Sequence, residues 1–267
     1  MVKTYTHNFD SNLYKGSVNI KTGLFNGGKW VDPVDGGDNI DANTSSVVDP
    51  TNRELITTIP GGRDKDVDRS KGTLRKPVMR NRLTSDSCTQ AFKTSWGFKV
   101  PGPQRGRILH KLADLIEQHV DALAALEALN LGKSFAVTRR FDLNGCLGLI
   151  RHFAGWADKI HGKTIEVDWN TSLAREESSQ LKYTNQTTEK KMAYTRHEPW
   201  GVVGVIAPWN APLLLAASKF APALATGNTV VLKPSEITPL SALLLADLLN
   251  EAGIPPGVVN IVNGYGP

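Results

Sequence analysis

Three polar side chains follow apolar segments at positions where they could bind a ligand. Asn210 follows the apolar segment 202–207, and Lys233 ends the segment 229–233, with Glu236 three residues further on. A carboxamide at the carboxyl end of a strand can donate a hydrogen bond to an oxygen that gains negative charge during acyl chemistry. A cation and a carboxylate at this spacing can face one ribose, whose hydroxyls donate to the carboxylate. The pattern therefore predicts a ligand site at one edge of an α/β sheet.

Each of these residues also has a purely structural interpretation. Asn210 precedes Pro212, so its side chain could cap the helix that begins there. Trp209 could be a core aromatic or the wall of a cofactor cleft. A Lys-Pro turn at the end of a strand is most often solvated surface. From the residue types alone, both interpretations remain open.

The same residues bear on which nucleotide could bind. A carboxylate at position 236 would repel a 2′-phosphate, which favours NAD over NADP. Gly264 and Gly266 follow the last predicted strand, where a glycine backbone can approach phosphates closely. The chain contains no GxGxxG fingerprint. Any dinucleotide must therefore be held without the usual glycine-rich turn.

The elements that would position these residues alternate between strand and helix after Glu198. The pattern predicts strands at 202–207, 229–233 and 258–262, with helices at about 212–225 and 239–252. Gly227, Gly253 and Gly257 lie where the helices should stop. This order predicts parallel strands with right-handed crossovers in a doubly wound, Rossmann-like α/β fold.

The first part of the chain has a different pattern. Residues 1–22 are polar without a clear period, which predicts a flexible tail. Residues 24–31 have the composition of a hairpin around Gly27 and Gly28, and residues 54–59 read as a strand after a turn at 49–52. Helical spacing predicts one helix over 105–131 and a second over about 138–157. Residues 162–167 and 192–196 read as paired strands.

Composition limits the class of protein. The chain is 40% hydrophobic and 21% charged, and no apolar stretch approaches the roughly 18 to 20 residues of a membrane span. The N-terminus lacks a secretory pattern, so we expect a cytoplasmic protein without membrane contact. The only two cysteines, Cys88 and Cys146, have no metal-ligand spacing. We expect both to be reduced and structural, with no metal site.

The net charge of +5 does not indicate a nucleic-acid partner. Six basic residues and no acid lie within residues 69–82, and the rest of the chain carries a net charge of −1. A basic stretch confined to one predicted loop, without interleaved aromatics, is weak support for nucleic-acid binding. We therefore expect no nucleic acid among the partners.

Taken in order, several segments resemble the NAD-dependent aldehyde dehydrogenases. The resemblance spans roughly residues 23–267 with two interruptions, and its segments are 26–31, 113–117, 154–159, 194–210, 223–236 and 255–260. It implies that Asn210 is the oxyanion-hole amide rather than a cap, and that Lys233 and Glu236 bind the adenosine ribose. The cofactor-binding residues that it implies are Ile206, Ala207, Pro208, Trp209, Lys233, Ser235, Glu236, Gly266 and Pro267.

The resemblance also implies a domain organisation. Residues 23–160 would form the first part of an NAD-binding domain, 161–199 an oligomerisation arm, and 200–267 the Rossmann-like βαβαβ unit, with the catalytic domain absent. The arm implies a homo-oligomer for the complete enzyme.

In this family a cysteine thiolate attacks the aldehyde, hydride passes to NAD, and a glutamate-activated water hydrolyses the thioester. The family's Phe-Thr-Gly-Ser block, its Glu-Leu-Gly-Gly block and its nucleophilic cysteine have no counterpart in these 267 residues. We therefore expect the chain alone to oxidise no aldehyde. The alternatives are a non-catalytic fragment that binds NAD or forms oligomers, and an unstable product without function.

Two stretches depart from the family, near residues 70–90 and 170–191. Gly72, Pro77 and the basic run would break a helix that the family continues through the first stretch. The second stretch falls at the tip of the arm, where extra length is tolerated. Natural loop insertions and in-frame read-through of sequence normally removed from the message both remain open.

The predicted helix after Asn210 carries smaller residues than relatives often do. Ala211, Leu215 and Ser218 lie where relatives often place Phe, Met and Trp along the substrate tunnel. A wider tunnel predicts that the complete enzyme accepts aldehydes bulkier than acetaldehyde. The sequence does not specify which aldehyde.

Overall fold

The computed structural model describes residues 2–33, 44–62, 66, 86–165 and 192–265. The basic run 69–82, the stretch 170–191, Gly266 and Pro267 lie outside these residues. The strands are β1 (Lys3–Asp10), β2 (Lys15–Thr22), β3 (Leu24–Asn26), β4 (Lys29–Val31), β5 (Thr44–Val48), β6 (Leu55–Pro60), β7 (Thr164–Ile165), β8 (Ala193–Tyr194), β9 (Val202–Ile206), β10 (Thr229–Lys233) and β11 (Val259–Ile261). The helices are α1 (Asp86–Thr94), α2 (Gly102–Gln118), α3 (Val120–Leu131), α4 (Phe135–Val137), α5 (Asn144–Trp156), α6 (Pro212–Ala225) and α7 (Leu240–Ala252).

A five-stranded sheet forms the centre of the fold, in the order β4-β3-β11-β10-β9. Strands β9, β10 and β11 are parallel, and Val230 of β10 is paired with Val203 on one side and Val259 on the other. Residues 229–232 of β10 are buried, as expected for a parallel strand that helices cover on both faces. The predicted alternation of strand and helix after Glu198 is confirmed, with α6 and α7 as the connections.

The hairpin predicted at residues 24–31 is also confirmed. Strands β3 and β4 are antiparallel, and the Phe25 and Trp30 rings contact each other edge-on at a centroid distance of 5.6 Å. Gly27 and Gly28 have φ angles of +60° and +75°. A two-residue hairpin turn of this kind requires positive φ at both central positions, which glycine adopts without strain.

Residues 3–22 correct one prediction. Strands β1 and β2 form an antiparallel hairpin where the polar composition predicted a flexible tail. Val18 and Ile20 alternate with exposed residues and are buried, while Lys21 forms an ion pair with Asp247 of α7. The prediction was wrong because a strand needs only one apolar face, and the Thr, Tyr and His residues of β1 are compatible with a strand.

The helix predicted over 105–131 is two helices. Helices α2 and α3 meet at His119, whose φ and ψ are −102° and 14°. The ring Nδ1 of His119 lies 2.9 Å from the Leu115 carbonyl oxygen, which also accepts the His119 backbone N–H at 3.2 Å. The break lets α3 take its own direction, in contact with α7.

The helix predicted over 138–157 is confirmed as a π-helical segment, Thr138–Leu143, that continues into α5. By contrast, residues 86–90 belong to α1, although the pattern assigned them to an irregular stretch. Cys88 and Ala91 are buried, and the Cys88 thiol donates to the Val230 carbonyl of β10 at 3.4 Å. Cys88 and Ala91, which are three positions apart, therefore place one face of this short helix in the core. The helix was not predicted because the residues around them are polar.

Two further strand pairs complete the described structure. Strands β7 and β8 are antiparallel, which confirms the pairing predicted for 162–167 and 192–196. Strand β6 confirms the strand predicted at 54–59, and its partner β5 was not predicted. Within the described part of the chain, no helix has the length and apolarity needed to cross a bilayer.

Candidate functional site

Strands β9 and β10 place two short loops next to each other at one edge of the sheet. Ile206 is paired with Lys233 in the parallel register, and the Ala207 backbone N–H donates to the Lys233 carbonyl at 2.9 Å. We refer to residues 207–211, which lead into α6, as the first loop. Residues 234–239, which lead into α7, are the second loop. Open parallel sheets bind ligands at this edge. Apart from Gly264, which follows β11, the described site residues predicted from the sequence lie on these loops or at the strand ends that precede them.

Asn210 is exposed and does not cap α6. The N-cap residue is Ala211, with φ −157° and ψ 73°, and no side chain of this residue bonds to the helix terminus. Pro212 occupies the first turn, where a missing N–H costs nothing. The capping interpretation is therefore wrong, and the Asn210 carboxamide is not committed to the helix.

The rest of the first loop presents apolar surface to solvent. Ile206, at the end of β9, is 66% exposed, Trp209 is 55% exposed, and Pro208 is exposed as well. Ala207 is buried between them. The core interpretation of Trp209 is therefore wrong. An exposed indole beside an exposed isoleucine can form one wall for a planar ligand.

In the second loop, an ion pair replaces the freely solvated lysine that a Lys-Pro turn usually has. Lys233 Nζ donates to Glu236 Oε2 at 3.4 Å and to the Pro234 carbonyl at 3.2 Å. The Lys233 and Glu236 side chains are 27% and 33% exposed. Ser235 is buried, and its carbonyl accepts the Thr238 N–H at 3.2 Å, which closes the turn.

The structure thus brings some predicted site residues together and leaves others apart. Lys233 and Glu236 are in contact, and the strand register places the start of the first loop beside Lys233. Asn210 lies on the neighbouring loop, and within the described residues it makes no hydrogen bond to the Lys233–Glu236 pair.

The chain after β11 is closely packed. Gly264 is buried with φ +147°, and a Cβ added to it would lie 3.2 Å from the Gly62 carbonyl oxygen. The Gly62 N–H donates to the Asn263 carbonyl at 2.7 Å. Glycine at position 264 is therefore required by its backbone conformation. The roles predicted for Gly266 and Pro267 lie outside the described residues and stay predictions.

Two buried residues of α3 hold the starts of both helices that follow the loops. Glu127 is 1% exposed, and its Oε1 accepts the Leu213 N–H of α6 at 2.8 Å. Asn130 is 5% exposed, and its Oδ1 accepts the Leu240 N–H of α7 at 3.3 Å. The Asn130 Nδ2 also donates to the Ile237 carbonyl of the second loop at 2.9 Å.

The sequence patterns do not assign these two residues to the site. A signal was available, because α3 has the sequence VDALAALEALNL and is apolar around most of its circumference. A carboxylate and a carboxamide three residues apart in such a helix need buried partners. The sequence could have shown that partners exist, although not which ones.

The environment of Glu127 raises the pKa of its carboxyl group. Burial raises the pKa of Glu127 from its ordinary value of 4.5 to about 7. The Leu213 N–H, the Ser241 hydroxyl and the Lys133 ammonium act in the opposite direction, and the Asp142 carboxylate raises the pKa further. Glu127 therefore changes its charge near neutral pH.

Neither cysteine has the environment of a nucleophile. In the described structure Cys88 and Cys146 are both buried thiols, as predicted. Burial, and then the Glu127 carboxylate, raise the pKa of Cys146. The Cys88 sulfur lies 2.9 Å from Asn260 Nδ2, inside the fold. A reactive cysteine requires an accessible thiolate, which neither position provides.

A cavity of about 760 Å³ lies away from the two loops. Its lining includes Trp200, which precedes β9, and Thr226 and Asn228, which precede β10. Arg105 and Asp158 also contribute. The cavity therefore lies at the amino ends of the strands, opposite to the edge that carries the candidate site.

Comparison with known proteins gives a consistent result. Residues 38–267 match the model of the aldehyde dehydrogenase family. The chain is 45% identical over 266 residues to an aldehyde dehydrogenase of Agaricus bisporus, and 41% identical over 244 residues to one of Emericella nidulans. These matches cover 100% and 91% of this chain, but 45% and 41% of the relatives.

The fold is similar to that of a solved NAD⁺ complex of an aldehyde dehydrogenase from Bacillus cereus. The TM-score is 0.75 at 34% identity, and the match covers 92% of this chain and 42% of that structure. The chain thus spans less than half the length of these relatives.

Proposed function

Because the chain belongs to the aldehyde dehydrogenase family, we propose that it is the NAD-binding part of an enzyme that oxidises an aldehyde to a carboxylic acid. The observation that carries this proposal is the half-buried Lys233–Glu236 pair beside the exposed first loop. When bound, NAD supplies the hydride acceptor, while the residues of this chain bind and orient it.

Most of the predicted cofactor residues are compatible with NAD. The second loop offers an ammonium and a carboxylate within reach of one ribose, and Ser235 holds its turn. Ile206, Pro208 and Trp209 offer apolar surface to the rest of the dinucleotide, over the buried Ala207. The Glu236 carboxylate would repel a 2′-phosphate, so we propose NAD rather than NADP.

We further propose that Asn210 is the oxyanion-hole amide. Its exposed carboxamide is not used by α6, so it can donate to an oxygen that becomes negative. The reaction also needs an accessible thiolate, and Cys88 and Cys146 are both buried. The 267-residue chain alone therefore oxidises no aldehyde, and on its own it acts as a non-catalytic NAD-binding or oligomer-forming unit.

The partners that we propose follow from the family. The substrate is an aldehyde, and Ala211, Leu215 and Ser218 favour a bulky one. The β7–β8 pair belongs to an arm that assembles a homo-oligomer in the cytoplasm, without nucleic acid or membrane.

Calorimetric titration of the purified chain tests the proposal. We expect binding of NAD, weaker binding of NADP, and a loss of NAD affinity of roughly tenfold in Glu236→Gln, because a charge-assisted hydrogen bond is removed. Glu251→Gln, an exposed carboxylate at the end of α7, is the matched control and should bind NAD normally. Absence of NAD binding by folded wild-type chain, or equal binding by Glu236→Gln, contradicts the proposal.

A further inference from the structure

Helix α3 bonds to the starts of α6 and α7 and to the second loop through one of its faces. Glu127 and Asn130 are three residues apart, which places them on the same side of the helix, about 4.5 Å apart along its axis. Glu127 bonds to the first turn of α6, and Asn130 bonds to the first residue of α7.

These bonds supply what the local sequence lacks. The first N–H groups of a helix have no partner inside the helix, and a side chain at the N-cap usually accepts one of them. The N-cap residues of α6 and α7 are Ala211 and Pro239, and neither provides a side-chain acceptor. The acceptors come instead from α3, which is 86 residues away from Leu213 and 110 residues away from Leu240 in sequence.

The consequence concerns the geometry between the loops. Each loop connects a strand end, fixed by the sheet, to a helix start, fixed by α3. Asn130 also holds the Ile237 carbonyl within the second loop itself. A rigid helix that bonds to both helix starts sets the separation between them.

We propose that Glu127 and Asn130 are positioning residues, which hold the first and second loops at the spacing that one dinucleotide requires. This inference rests on the proposed function for its ligand, but the coupling of α3 to the loops does not depend on that ligand. Glu127 acts on the first loop through the start of α6, whereas Asn130 bonds to the second loop directly. A ligand that spans both loops depends on both residues, whereas a ligand of the second loop alone depends on Asn130.

The experiment uses the 267-residue chain and three variants. Glu127→Met and Asn130→Leu remove the acceptors, while Glu127→Gln keeps an oxygen at the same place. Leu126→Ala, a fully buried residue of α3 that bonds to neither loop, controls for a general loss of stability. Hydrogen exchange is measured at the amides of Leu213 and Leu240, and titration uses NAD and AMP as probes.

In Glu127→Met, we expect hydrogen exchange to be about fivefold faster at the Leu213 amide and unchanged at the Leu240 amide. In Asn130→Leu, we expect the same acceleration at the Leu240 amide and no change at the Leu213 amide. Glu127→Met should lower the affinity for NAD about fivefold and leave the affinity for AMP unchanged, whereas Asn130→Leu should lower both affinities. Glu127→Gln, which retains the acceptor, should keep the wild-type exchange rate at Leu213 and the wild-type affinity for NAD.

Several outcomes would overturn the inference. Unchanged exchange at both amides in the acceptor-free variants is one, and the same split between NAD and AMP in Leu126→Ala is another. If the folded wild-type chain bound neither NAD nor AMP, the proposed function would fail, and with it the role in dinucleotide binding. The exchange measurements would then still decide whether α3 positions the loops.

Discussion

The two loops at the edge of the sheet have the same topology, yet they are held by different chemistry. The start of α6 depends on one hydrogen bond to the carboxyl of Glu127, a group that titrates near neutral pH. The second loop and the start of α7 depend on two hydrogen bonds to the neutral carboxamide of Asn130. Two helices that look equivalent in the fold should therefore respond differently to pH.

The loops also differ in how many of their polar groups already have partners within the protein. The second loop closes on itself through the Lys233–Glu236 pair and the bond between Ser235 and Thr238. The first loop exposes Trp209 and Asn210. The second loop is therefore preformed, whereas the first loop leaves Trp209 and Asn210 available to a ligand.

The largest effect is expected from the pH dependence of stability. The pKa of Glu127 is about 7 in the folded chain, against an ordinary value of 4.5, so the folded state binds this proton more tightly. The free energy of unfolding should therefore fall as pH rises from 4.5 to 7, by up to about 3 kcal/mol from this group. Glu127→Gln, which stays neutral, should lose this slope.

Urea unfolding at pH 5 and pH 8 measures this difference. Wild type should lose stability relative to Glu127→Gln as pH rises, and Glu251→Gln should behave as wild type. Equal pH dependence in wild type and Glu127→Gln would remove the chemical distinction between the loops.

A smaller, pH-independent effect is expected from the second loop. Asn130→Leu removes the acceptor for Leu240 and leaves the Ile237 carbonyl without its donor, at a cost of about 2 kcal/mol. Because Asn130 carries no charge, urea unfolding should show the same loss at pH 5 and pH 8. A loss that grew with pH would show that Asn130 is coupled to the titration of Glu127.

The binding free energies of NAD and AMP should distinguish the two loops by about 1 kcal/mol. Trp209→Ala removes the exposed aromatic wall and should weaken NAD about fivefold, without a change in AMP affinity. Calorimetry with both ligands measures this, and Trp200→Ala, a highly exposed tryptophan at the opposite end of β9, is the matched control. Equal loss for AMP would indicate that the indole contacts the adenosine half.

The smallest effect is expected for Asn210→Ala. Since Asn210 is exposed and does not cap α6, thermal or urea unfolding should show a change within about 0.5 kcal/mol. A cost above about 1 kcal/mol would contradict the conclusion that Asn210 does not cap α6.

Sequence patterns predicted the elements that carry the site. Strands β9 and β10 are continuous apolar runs, and Gly227 and Gly253 follow the helices, so local signals were sufficient there. The contact between Lys233 and Glu236 was also predictable, because they are only three positions apart in sequence. The prediction of a flexible tail at residues 1–22 was wrong because α7 packs against β2 and covers one face of the hairpin. With that face covered, the polar residues of the segment form strands.

The rest depends on contacts between distant parts of the chain. A search for local caps pointed to Asn210, whereas the acceptors for α6 and α7 come from Glu127 and Asn130. The break at His119, which gives α3 its own direction, was hidden because the apolar spacing continues across it. Sequence alone shows that a buried carboxylate needs a donor, but only the tertiary fold selects which one.

Strand β9 has one further consequence. It is the last strand in the sheet order, and among the described residues only β10 pairs with it. Its outer row of backbone N–H and C=O groups is a template on which another extended chain can add. Because β9 leads directly into the first loop, we expect a chain that adds at this edge to alter the loop that bears Trp209 and Asn210.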